Sequence, residues 1–170
     1  MESKKKRFIE KFIENKQVPN ALFELSKPDG EVVTIDLETT VQKIYEHGQG
    51  LEVKKILKKG QFRNASIEKC LKLFEGAAQR FLLDQIGGEQ SKLVQDILGK
   101  AHRRKDTLFI ALNLNGQKHM YEINFLDKDD DCLQPYLLKE VQSKEVVRSF
   151  DKREFIEYLL INFEAIEEVI

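Results

Sequence analysis

Apolar positions recur at helical spacing in several stretches of the chain and alternate in others. Phe8, Ile9, Phe12 and Ile13 share one side of a helix predicted over residues 2–16, which Pro19 and Asn20 end. Val33 and Ile35 alternate with Thr34 and Asp36, and Lys27-Pro28-Asp29-Gly30 precedes them. A fixed proline φ, an aspartate acceptor and a permissive glycine make that tetrapeptide a turn, so residues 21–36 read as a β-hairpin. Val41, Ile44 and Tyr45 mark a helix over about 38–47 that Gly48 stops, and a short helix follows over about 51–59, ended by Gly60.

The cleanest helical period is Ile67, Cys70, Leu71, Phe74, Ala77, Ala78, Phe81 and Leu82. It predicts a central core helix over about 65–86, interrupted by Gly87-Gly88. Leu93, Val94, Ile97 and Leu98 predict another helix over about 89–103. Leu108, Ile110, Leu112 and Leu114 then alternate up to Asn115-Gly116, and Tyr121, Ile123 and Phe125 alternate after it. Asn-Gly tolerates the two positive φ values of a two-residue loop, so residues 107–126 form a second hairpin. Residues 135–148 fit helix and strand alike, while Glu145 to Phe150 favours strand. Asp151 and Glu154 are spaced as a capping box that opens a final helix, predicted to run to Ile170.

That last helix carries a very broad apolar stripe. Phe155, Ile156, Leu159, Leu160, Phe163, Ile166 and Val169 lie along it, widened by Tyr158, Ile161 and Ile170. A helix apolar on most sides must be covered on most sides, by its own chain or by another subunit. Phe155, Tyr158, Leu159, Ile161 and Ile166 are therefore the candidate partner interface, isologous in the case of a homodimer. Together the elements predict one α+β domain over residues 1–170, with two β-hairpins forming an antiparallel sheet packed against about six helices.

At 170 residues the chain is long enough to bury a core without disulfides or metal. Its two cysteines are far apart, Cys70 on an apolar helical face and Cys132 after an acidic run, so they form no disulfide framework. After Lys4 to Arg7 only Phe8 and Ile9 precede Glu10, too short an apolar stretch for a secretory leader. These features predict a reducing, cytoplasmic setting. No apolar run approaches the roughly 20 residues of a membrane span, and no membrane partner is expected.

The formal net charge of -1 conceals an asymmetry. Residues 1–105 hold 21 Lys+Arg and 15 Asp+Glu, while residues 106–170 hold 7 and 14. The sign changes near residue 105, just before a hairpin, which would suit a subdomain edge. Bipolar charge of this kind hints at macromolecular partners.

Motifs for chemistry are missing from the pattern. His47, His102 and His119 fall in no metal-ligand spacing. Asp127, Asp129 and Asp131 match the first three ligands of a calcium loop, but Cys132 stands where its glycine belongs and Leu138 where its bidentate glutamate belongs. A solvated turn accounts better for that run. Neither a phosphate-binding glycine loop nor a nucleophile elbow is present. The expectation is no catalytic residue, no metal and no cofactor.

The sequence therefore points to a non-catalytic interaction or regulatory protein whose partner is another protein or a second copy of itself. Nucleic-acid binding is the alternative. Lys54, Lys55, Lys58 and Lys59 fall opposite Val53, Ile56 and Leu57 at helical spacing, a one-sided cationic face suited to phosphates, and Arg63 follows it. On that alternative, affinity for nucleic acid falls steeply with salt and disappears when the four lysines become glutamate. Unchanged affinity in a filter-binding titration removes the site.

Overall fold

A computed structural model describes residues 10–11, 13–14, 17–46, 67–103, 108–126 and 134–170. They fall into two compact units, residues 1–24 with 33–82 and residues 25–32 with 83–170. Strands β1 (Leu22–Ser26) and β2 (Val32–Asp36) form a two-stranded sheet. In their turn the Gly30 amide donates to the Lys27 carbonyl at 3.0 Å, and Asp29 Oδ1 accepts from the Glu31 amide at 2.9 Å. Gly30 takes φ +89, a value that L side chains rarely adopt.

In the first unit, Asp36 ends β2 and caps α1 (Leu37–Glu46), its Oδ1 accepting from the Thr39 amide at 2.7 Å. Hydrogen bonds from the side chain and backbone of Thr39 hold the Asp36 carboxyl below its ordinary value near 3.8. Helix α2 (Ile67–Ile86) places Phe74, Ala77, Ala78, Phe81 and Leu82 in the interior, as its periodicity predicts. It also buries Gln79 completely, and neither amide atom of that side chain has a hydrogen-bond partner among the described residues.

In the second unit, α3 (Gly88–Arg103) follows a break at Gly87 and Gly88, both at positive φ. Then come β3 (Leu108–Leu114) and β4 (Gln117–Phe125), joined through Asn115 at φ 55 and Gly116 at φ 80. These are the two left-handed residues of the predicted loop. Strands β5 (Tyr136–Glu140) and β6 (Val146–Phe150) form a further hairpin. Helix α4 (Lys152–Ile161) starts with a complete capping box. Asp151 Oδ1 accepts from the Glu154 amide at 2.8 Å, and Glu154 Oε1 accepts from the Asp151 amide at 3.0 Å. A 3₁₀ turn (Phe163–Ala165) and β7 (Ile166–Val169) end the chain.

The fold therefore departs from one sheet packed on about six helices. Among the described residues there are four α-helices, and the strands make two sheets, of two and five strands. Sheet edges explain the separation. The larger sheet has the order β6-β5-β4-β3-β7, so β5 takes the free edge of β4 and β7 takes the free edge of β3. No edge of the β3–β4 hairpin remains for β1–β2 to join. Of the first predicted helix, residues 10–11 and 13–14 are helical, and the helix predicted over 51–59 lies outside the described residues.

The final helix also ends earlier than predicted. Asn162 stops it, donating from Nδ2 to the Tyr158 carbonyl at 2.8 Å. Ile166 and Val169 then pair with Leu112 and Ile110 of β3, and Ile170 exchanges two backbone hydrogen bonds with Phe109. Leu108, Ile110 and Leu112 are buried, and an unpaired backbone at the edge of a buried strand is costly. That pairing outweighs continuing an apolar helix, and β-branched Ile166 and Val169 suit it.

Buried Gln79 generates a stability prediction. Exchanging its amide, with two orphaned polar atoms, for a thioether of similar length, Gln79→Met, removes a desolvation penalty of about 1–3 kcal/mol. The urea midpoint rises with an unchanged m-value. A lower midpoint shows that the amide has a partner of its own.

Candidate interaction surface

Register on the larger sheet puts specific side chains on one face. Leu108, Ile110 and Leu112 of β3 stand opposite Ile123, Tyr121 and His119 of β4. Ile123 and Tyr121 in turn stand opposite Leu138 and Glu140 of β5, and Leu138 opposite Arg148 of β6. Directly opposed residues share a face, so all of these project to the same side.

Helix α4 crosses that side. Phe155 stacks on Tyr136 with ring centroids 4.7 Å apart and meets Phe150 at 5.7 Å. Tyr158, three residues on, meets Phe150 at 5.1 Å. The Arg148 guanidinium lies over the Phe150 ring at 4.8 Å and over Tyr158 at 6.0 Å. Tyr121 stacks with His119 at 6.3 Å. Burial pushes the Tyr158 hydroxyl above its ordinary value of 10.0, Tyr121 adds to the rise, and Arg148 opposes it. Tyr121 lies on the same sheet face that α4 crosses.

Tyr121, Glu140, Arg148 and Tyr158 thus form a shelf of one cation, one anion and two phenols. Arg148 is exposed and the other three are half-buried. Apart from the ring contacts of Arg148 and Tyr158, no side chain of the four has a hydrogen-bond or ion-pair partner among the described residues. Their donors and acceptors are open to an incoming molecule.

At the other end of β4, Tyr136 and His102 Nε2 share a hydrogen bond of 2.6 Å, and the His102 ring packs on Phe125 at 4.4 Å. His119 and Phe125 are six residues apart on one strand, or about 20 Å. His102 and His119 are therefore not brought together, and His47 lies outside the described residues. In the first unit a shallow cleft of about 300 Å³ is lined by Glu10, Ile13, Val18, Asn20, Leu37, Glu38, Val41 and Gln42. Its Asn20 Oδ1 already accepts from the Glu38 amide at 3.0 Å, and its lining holds neither a histidine nor a nucleophile.

Of the interface predicted on the last helix, Phe155 and Leu159 are fully buried and belong to the interior of the second unit. Tyr158 is half-buried on the shelf, Ile161 is 67% exposed beside it, and Ile166 has moved to β7. Lys54, Lys55, Lys58, Lys59 and Arg63 lie outside the described residues, as does the acidic run from Asp127 to Cys132. Among the described residues no group of three His, Cys, Asp or Glu side chains could hold a metal ion, and no helix is long and apolar enough to cross a membrane.

Tyr121, Glu140 and Arg148 were not visible as site residues in the sequence. Alternation gave the side of Tyr121, but only the β4–β5–β6 register brings Glu140 and Arg148 next to it. No protein-family model matches this chain, and no curated protein or solved structure matches it either.

The shelf geometry predicts how Tyr158 titrates. Tyr121→Phe lets its hydroxyl fall back toward 10.0, and Arg148→Ala raises it further. The raised value favours the neutral phenol in the fold, so its contribution to stability is complete below pH 10 and is lost as pH rises past it. NMR titration of ring-labelled tyrosine reads both shifts; a Tyr158 resonance indifferent to both changes refutes the placement.

Proposed function

We propose that this protein acts without catalysis, as an interaction or regulatory protein whose second unit binds another protein through the α4–β4–β5–β6 shelf. One observation carries the reading. Tyr121, Glu140, Arg148 and Tyr158 lie on one face of the sheet and on the helix that crosses it, and among the described residues their polar groups have no hydrogen-bond or ion-pair partner. Tyrosine and arginine are the residue types most enriched where protein interfaces concentrate their energy. A tyrosine offers a large rigid area at little entropic cost. Arg148 is already stacked on two rings, so binding would immobilise less of it than of a free arginine. Open, shallow relief suits a protein surface better than a small molecule, which gains from enclosure. The reading needs no cofactor, and two isolated cysteines fit the reducing, cytoplasmic setting it assumes.

A photo-reactive amino acid at exposed Ile161 tests it in the host cell. One discrete protein adduct is expected there, absent when the probe replaces exposed Lys92 on α3 and lost when Arg148→Glu is added. No adduct at position 161, or the same adducts from position 92, overturns the reading.

A further inference from the structure

We propose that the occupant of the shelf is a second copy of this chain, docked about a two-fold axis so that Arg148 of each copy meets Glu140 of the other. The inference rests on the interaction reading and names its partner.

The patch is complementary to itself. In a two-fold contact, whatever residue i does to residue j is repeated by j and i, so the patch must fit its own rotated image. A patch bearing a single sign of charge repels itself. This one carries one cation and one anion that have no ion-pair partner among the described residues, with the phenols of Tyr121 and Tyr158 on the same face. Tyr121 stands directly opposite Glu140, and Tyr158 lies under Arg148.

The two charges share a face yet do not meet within the chain, for a structural reason. Arg148 stands opposite Leu138, two positions before Glu140 on β5, so the register sets no direct pair between them. The guanidinium turns instead over Phe150 and Tyr158. Both groups are left for an external partner that offers the opposite charges in the reverse order, which a rotated copy does. Ile161, one turn beyond Tyr158 and 67% exposed, adds apolar area at the rim. The balance of charge also disfavours nucleic acid here, since a phosphate backbone attracted by Arg148 is repelled by Glu140.

Sedimentation of the purified full chain tests this. A dimer of about 40 kDa is expected, twice the 19.8 kDa chain. Arg148→Glu and Glu140→Arg each weaken it by about tenfold or more, because each sets like charges against each other twice. An equimolar mixture of the two variants regains the dimer, since each then supplies what the other lacks. The double exchange in one chain regains it as well. Recovery on mixing also proves both variants folded. A monomeric wild type, single variants that dimerise normally, or a mixture that stays monomeric each overturn the proposal. If the wild type is monomeric while the Ile161 probe captures a protein of another mass, the interaction reading stands and the second copy falls. No adduct at all removes both.

Discussion

The stack of Phe155 on Tyr136 is the contact from which the rest of the second unit's sheet face takes its shape. Both rings are buried, and their centroids are 4.7 Å apart in a near-parallel arrangement. Their alignment depends on where α4 begins. The capping box of Asp151 and Glu154 fixes the first turn, so Phe155 faces the sheet and Tyr158 follows on the same side. A start one residue later would rotate every side chain by about 100°. Tyr158 would then leave Phe150, and Arg148 would lose one of the two rings that hold its guanidinium.

Polar groups reinforce that placement. Glu157 Oε1 accepts from the Ser26 amide at 3.0 Å and from Arg153 Nε at 3.2 Å, tying α4 to the end of β1 within the second unit. His102 supplies the buried Tyr136 hydroxyl with a hydrogen-bond partner, so the large ring stays inside without an orphaned oxygen. Gln79 in the first unit shows the opposite condition, a buried amide with neither atom matched among the described residues.

Local signals were legible from the residues; distant pairings were not. Asn115-Gly116 specified its own loop, Gly87-Gly88 its helix break, and Asp151 with Glu154 its cap, because each works within a few residues. Residues 135–148 read ambiguously because short apolar runs satisfy either period until a neighbouring strand is known. The chain end misled more fully. Ile166 and Val169 continue a helical stripe in sequence, and only the open edge of β3, more than fifty residues earlier, converts them to strand. The interface expected from that stripe lost Phe155 and Leu159 to the interior for the same reason, since the sheet supplies the cover a partner was expected to supply. Tyr121, Glu140 and Arg148 come from three strands, and no spacing in the sequence relates them.

The division of charge near residue 105 suggested oppositely charged exteriors, but several of the second unit's described acids are occupied with local work. Glu154 caps α4, Glu157 binds Ser26 and Arg153, Glu167 accepts from Asn113, and Glu168 faces Lys118 at 3.6 Å. Asp96 pairs with Lys100, and Asp84 accepts from Gln95. A carboxylate already committed to a neighbour adds to the net charge but offers little to a partner, and exposed pairs of this kind contribute little to stability. Net charge is thus a poor guide to where this molecule binds. The informative quantity is which charged groups the fold leaves uncommitted, and among the described residues Glu140 and Arg148, one of each sign on the same face, have neither a hydrogen-bond nor an ion-pair partner.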